Sequence, residues 1–132
     1  MTAFIDTSAL YAVLDADDRQ HSSAKQIWKA LLNEGTPLVT SNYVIIETTA
    51  LIQNRLGMDA VRTFYQDILP VIRLEWVNDT THQAGVTSLL TAARRQLSLV
   101  DCVSFELMRR LSIRRAFAFD EHFTEQGFDR IS

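Results

Sequence analysis

Phe4-Ile5-Asp6-Thr7-Ser8-Ala9-Leu10 decides how this chain is read. Apolar residues run straight into an aspartate, two hydroxyl residues follow, and a second apolar run of helical character begins. That is the pattern of a buried strand feeding a helix, with Asp6 at the junction. An aspartate there is either a helix N-cap or part of a site at the carboxyl edge of a parallel sheet. Taken alone, the cap is the commoner explanation. Three later acids, Glu47, Asp101 and Asp120, recur inside or at the end of otherwise apolar segments, where an unpartnered charge is costly.

Outward from that stretch, strands and helices alternate. Thr2 to Asp6 is a short strand, and its helix runs to about Leu14 before the polar turn Asp15 to Arg19. A second helix is expected from His21 to Asn33, with Ala24, Ile27, Trp28, Leu31 and Leu32 on one stripe and Gly35 as its stop. Pro37 to Thr40 is a second strand. Ser41 or Asn42 then caps a third helix from Tyr43 to Leu56, closed by Gly57. A fourth helix is expected from Asp59 to Leu69, stopping at Pro70, with a strand from Val71 to Val77 after it. Asn78-Asp79-Thr80 caps a fifth helix through Arg95, and Ser98 opens a sixth to Leu111. Ala116 to Phe119 is a strand ending at Asp120, and Phe128 to Ile131 forms a short edge strand. The alternation predicts an α/β three-layer sandwich around a mainly parallel central sheet of four to five strands. No repeat, linker or low-complexity segment divides the chain, so residues 1–132 read as one domain.

The composition sets limits. A hydrophobic fraction of 47% with 4 Gly and 2 Pro describes a compact globular chain. No apolar run approaches the length of a membrane span, and Met1-Thr2-Ala3-Phe4 lacks the basic start of a signal peptide. The single cysteine, Cys102, argues against a disulfide framework and fits a reducing cytoplasm. A net charge of −3 excludes a nucleic-acid binder that works by bulk attraction. The charge is uneven, however. Arg94, Arg95, Arg109, Arg110, Arg114 and Arg115 face only Asp101 and Glu106 within the same stretch. Two readings of these arginines stay open: a phosphate-binding surface near Asp101, or ordinary solvated helix surface.

Each acid also has a structural explanation. Helical spacing puts Glu47 with Val44 and Leu51 on a core-facing stripe, so it needs a cation, a donor or a proton unless it reaches solvent. Ser98-Leu99-Val100-Asp101 has the form of a capping box. The helix it opens is apolar nearly all round, which places its first turn inside the protein. Asp120 ends a strand as Asp6 does, and capping of Glu121-His122-Phe123 would account for it. The structural explanations weaken together, because three of the four acids would gather at one edge of one sheet.

Asp6-Thr7-Ser8-Ala9-Leu10, Val44-Ile45-Ile46-Glu47, Ser98-x-x-Asp101-Cys102 and Phe119-Asp120-x-x-Phe123 resemble, in order and spacing, the motifs of the PIN-domain nucleases. The resemblance is to the small stand-alone toxin ribonucleases of VapBC type, and it covers the whole chain. It implies a metal-dependent endoribonuclease in which Asp6, Glu47, Asp101 and Asp120 form a pocket for Mg²⁺ or Mn²⁺. Thr7 or Ser8 and Ser98 match the small hydroxyl positions flanking the acids, while Glu121 and His122 fall where the family varies. The resemblance also implies an RNA substrate, a cognate antitoxin protein and a homodimer.

Hard oxygen ligands suit Mg²⁺, and paired ions about 4 Å apart clamp the attacking and leaving oxygens of an in-line displacement. Asp6 and Asp101 are the leading metal ligands; Glu47 and Asp120 complete the pocket, on a second ion or by orienting water. A receiver-type signalling domain also gathers acids at strand ends, but it needs a lysine at the end of a late strand. The only lysines, Lys25 and Lys29, lie on the second helix. A PIN-like module that binds RNA or a partner without cutting it is the remaining alternative.

Overall fold

Five short parallel strands form the centre of a computed structural model that describes residues 1–132. They are β1 (Ala3–Ile5), β2 (Leu38–Ser41), β3 (Arg73–Glu75), β4 (Arg115–Phe117) and β5 (Asp129–Ile131), in the spatial order β3-β2-β1-β4-β5. The helices are α1 (Thr7–Leu14), α2 (His21–Asn33), α3 (Asn42–Leu56), α4 (Met58–Thr63), α5 (Asp79–Ala92), α6 (Leu99–Arg110) and α7 (His122–Glu125). Parallel strands need long crossovers, and helices on both faces leave a central strand no route to water. The central β1 accordingly has Ala3, Phe4 and Ile5 fully buried. The expected three-layer α/β sandwich is present, with every strand pair parallel.

The chain starts in the middle of the sheet, walks one way through β2 and β3, then returns to add β4 and β5 on the other side of β1. The order therefore reverses between β1 and β4. At such a switch point the following connections part in opposite directions and open a crevice at the carboxyl ends of the strands.

Helix starts follow the local chemistry of the sequence. The Ser41 hydroxyl accepts from Val44 N at 3.1 Å to cap α3, and Asn78 accepts from Thr81 N at 2.9 Å to cap α5. Between α5 and α6, Gly85 leaves no room for a side chain. A Cβ there would lie 2.5 Å from Val103 Cγ2, so the two helices approach more closely than any other residue would allow. At the far end of the sheet, Phe105, Phe123 and Phe128 pack with ring centroids 5.0 to 6.4 Å apart and anchor α7 and β5 to α6.

Several stretches differ from the sequence expectation. The helix expected from Asp59 to Leu69 is α-helical only over Met58–Thr63. It loosens into a π-turn over Phe64–Ile68 and tightens into a 3₁₀ turn over Leu69–Val71, where Pro70 has no N–H to offer. The strand expected from Val71 to Val77 shrinks to Arg73–Glu75, because it is an edge strand and pairs only with Val39, Thr40 and Ser41. The fifth helix stops at Ala92, with Ala93 in a left-handed turn (φ 51°), so Arg94 and Arg95 belong to the loop before α6. No helix is long and apolar enough to cross a membrane.

Candidate active site

Asp6 is the residue at which β1 becomes α1. Its extended backbone makes it the N-cap, and its Oδ2 accepts from Ser8 N at 3.1 Å and from the Ser8 hydroxyl at 2.7 Å. The expected cap is therefore real. It does not exhaust the residue's role, because both bonds fall on Oδ2 and leave Oδ1 for another partner. The Ser8 oxygen in turn accepts from Phe119 N at 2.9 Å. One hydroxyl thus ties the end of β1 to the segment that leads from β4 to Asp120.

Asp101 is the third residue of α6. It completes the expected capping box: its N donates to Ser98 Oγ at 3.1 Å, and its Oδ2 accepts from Ser98 N at 3.2 Å. Asp120 lies three residues beyond β4, which ends at Phe117 rather than Phe119, and accepts from His122 N at 2.9 Å. Glu47 departs from the expectation. The buried side of α3 is Val44, Thr48 and Ile52, so Glu47 stands on the flank of the helix and not on its core-facing stripe. The Thr48 hydroxyl, one residue on, donates to Thr7 Oγ1 at 3.1 Å and locks this face of α3 against α1.

These placements bring all four acids to the wall of one open depression of about 710 Å³ at the switch point. Thr7, Ser8 and Ser98, the hydroxyl residues singled out from the sequence, line it too. Along α3 the same depression meets Ala50, Leu51, Asn54 and Arg55, which follow Glu47 at helical spacing. No motif in the sequence marks Asn54 and Arg55, although their positions seven and eight residues after Glu47 put them on the same helix face. Arg55, its guanidinium 5.6 Å from the centre of the Tyr11 ring, is the one cation on a wall with four carboxylates.

The electrostatics follow from that imbalance. Asp6 is only 3% exposed, and burial pushes its pKa up to about 7, with Asp101 and Glu47 adding repulsion and the Ser8 bonds opposing. Burial also raises the pKa of Asp101, helped by Asp120 and Glu47 and resisted by Ser98. Asp6 and Asp101 therefore ionise reluctantly until a cation balances them. All-oxygen donors converging on one depression are the set that a hard divalent ion takes, so these residues fit Mg²⁺ or Mn²⁺.

His122, for which the motif resemblance implies no role, stands behind two of these acids. Its Nδ1 lies 3.0 Å from Asp120 Oδ1 and 3.7 Å from Asp101 Oδ2. A histidine two residues after a strand-end acid was the available signal, and only folding shows that it turns back toward Asp101. Most of the arginine-rich stretch goes elsewhere. Arg109 and Arg110 end α6, and Arg115 pairs with Ala3 at the amino end of the sheet, across the molecule from the acids. Arg109 bonds Gln126 and covers Phe128, while Arg94 meets Glu125 at 3.3 Å. Arg109, Arg110 and Arg115 thus lie away from the acids, while Arg94 sits on the outer side of Glu125.

Comparison with known proteins gives a consistent result. A model of the PIN domain matches residues 3–129. The chain is 34% identical over 129 residues to the 23S rRNA-specific endonuclease VapC20 of Mycobacterium tuberculosis, covering 97% of this chain and 96% of that protein. The crystal structure of M. tuberculosis VapC20, described as a Sarcin-Ricin loop cleaving toxin, superposes with a TM-score of 0.83 at 33% identity, covering 97% and 96% of the two chains. FitAcB from Neisseria gonorrhoeae, at 13% identity and a TM-score of 0.72 over 100% and 97% of the chains, shares the fold.

Proposed function

The chain is a VapC-like member of the PIN domain family, and from that premise we propose that it is a divalent-metal-dependent endoribonuclease acting through Asp6, Glu47, Asp101 and Asp120. The observation that carries this reading is the convergence of four carboxylates, from four separate segments, on one depression at the switch point of the sheet. The similar VapC20 is a 23S rRNA-specific endonuclease, which makes ribosomal RNA the first substrate class to test.

Bound Mg²⁺ or Mn²⁺ would supply a water of lowered pKa and a counter-charge for the phosphate. Asp6 and Asp101 would hold the ion, and its charge would favour their ionised forms over the protonated ones that burial favours. Ser8 and Ser98 keep those two carboxylates aimed, since each occupies one oxygen of its acid and leaves the other for the ion. Asp120 would complete the ligand set. Glu47, half-buried on the flank of α3, would take a proton from an attacking water or orient it. Arg55 would hold a neighbouring phosphate at the rim, where its guanidinium can meet two phosphate oxygens at once.

The same reading makes residues 1–132 a single nuclease unit working in the cytoplasm, with a small antitoxin protein that blocks the depression and a second copy of the chain as dimer partner. The test is cleavage of a panel of end-labelled 23S rRNA fragments by the purified chain in Mg²⁺, in Mn²⁺ and in EDTA. Discrete cleavage that requires a divalent ion is expected. Full activity in EDTA would sink the mechanism, and metal-dependent binding without cleavage would favour a non-cutting module. In cells, expression of the chain alone should slow growth, and Asp6→Ala should relieve it; equal toxicity of the two would mean that the effect is not catalytic.

A further inference from the structure

His122 is oriented as a ligand would be. Its Nδ1 is shielded from solvent and has no hydrogen-bond partner, although Asp120 Oδ1 is only 3.0 Å away and Asp101 Oδ2 3.7 Å. The nitrogen is buried against two carboxylate oxygens with no aligned hydrogen bond to either, so its lost hydration is poorly replaced. The ring's other nitrogen points outward, with Nε2 3.9 Å from Glu125 Oε1, and Arg94 meets that same carboxylate at 3.3 Å. An ion between the ring and the two carboxylates would take the place of a proton on Nδ1 and leave the ring's remaining proton at Nε2, on the Glu125 side, the arrangement common to metal-bound histidines.

The spacing agrees. One donor atom each from Asp101, Asp120 and His122 lies within 4.8 Å of the other two. Adjacent ligands of an octahedral ion with bonds of 2.0–2.1 Å are about 3 Å apart, which the His122–Asp120 pair already meets at 3.0 Å and the His122–Asp101 pair approaches at 3.7 Å. The other two histidines do not compete, because His21 Nδ1 is engaged by Ala12 O and His82 Nδ1 by the Tyr43 hydroxyl.

We propose that His122 Nδ1 is a ligand of the ion held by Asp101 and Asp120, and that this nitrogen makes the site favour Mn²⁺ over Mg²⁺. The inference rests on the metal-dependent reading of the depression and adds a consequence to it. Mg²⁺ takes oxygen ligands almost exclusively, whereas imidazole suits transition metals, so one nitrogen in the set penalises Mg²⁺ relative to Mn²⁺.

The test is pulsed EPR of the full chain loaded with Mn²⁺ alone, together with calorimetric affinities for Mn²⁺ and Mg²⁺ in wild type, His122→Gln and His122→Ala, each checked for folding by circular dichroism. Bound Mn²⁺ in wild type should show coupling to an imidazole nitrogen, and the coupling should vanish in both variants. Mn²⁺ affinity should fall at least about tenfold in the variants, with Mg²⁺ affinity changing less than about threefold. The EPR measurement on wild type needs no variant, so a misfolded substitution does not remove the test. Bound Mn²⁺ without nitrogen coupling, equal losses for the two metals, or no Mn²⁺ binding at all would overturn the proposal. Failure of the nuclease reading looks different: nitrogen-coupled Mn²⁺ in a chain that cuts no RNA would keep this inference and reject that one.

Discussion

Asp6 is a charge held where charge is expensive, and replacing it with asparagine turns that cost into a stability difference. Its carboxyl has a pKa raised from 3.8 to about 7, with burial as the main cause. The folded, metal-free chain therefore binds the Asp6 proton more tightly than the unfolded chain does. Stability from that proton is complete below the unfolded value and is lost as pH rises through the folded one, so it drains away between about pH 4 and pH 7. A shift of about three units corresponds to about 4 kcal/mol, half of it lost by about pH 5.5. The substituted asparagine would carry no such titration, and its side-chain oxygen can still cap α1. In EDTA, Asp6→Asn should match wild type near pH 4 and exceed it by about 3–4 kcal/mol at pH 7.5, on the order of 10 °C in Tm. Urea unfolding at intervals from pH 4 to pH 8 reads the difference directly. Saturating Mn²⁺ should shrink or invert it, since the carboxylate binds the ion and the amide does so poorly. A pH-independent difference, or a variant less stable than wild type at pH 7.5 in EDTA, would refute the reasoning.

Other substitutions test neighbouring parts of the argument. Asp101→Asn should stay folded, because asparagine can accept from Ser98 N as the aspartate does, yet lose cleavage by about 100-fold or more; a folded and fully active variant would remove Asp101 from the ligand set. Arg55→Ala should raise KM for RNA several-fold with kcat nearly unchanged, and should lower the salt slope of RNA binding by about one. A fall in kcat alone would instead place Arg55 at the reacting phosphate. Gly85→Ala should destabilise the fold by about 1–2 kcal/mol in chemical denaturation, since overpacking against Val103 outweighs the better helix propensity of alanine; an unchanged midpoint would mean that α5 and α6 can part freely.

What the sequence determined by itself is what near neighbours along the chain decide. Asp6 capping α1, Asn78 capping α5 and the Ser98–Asp101 box opening α6 each join residues no more than three apart, so the pattern and the bond are the same fact. Alternation of short apolar runs with helical stripes was likewise enough for a parallel α/β sandwich, because period and length are local properties. The four acids could be named on the motif resemblance, but which way each one faces was a different matter. Glu47 was expected on the core-facing stripe, and the packing of α3 on α1 through Thr48 and Thr7 turned it to the flank instead. The sheet order put β4 beside β1, which carried Asp120 to Asp6 and moved Arg109, Arg110 and Arg115 to the opposite end. Arg55 reached the wall of the depression, and His122 reached Asp101 and Asp120, only through α3 and α7 packing against elements far away in the chain. The pKa of Asp6 belongs to the same group, since burial sets it, and burial is made by residues that no local pattern places around it.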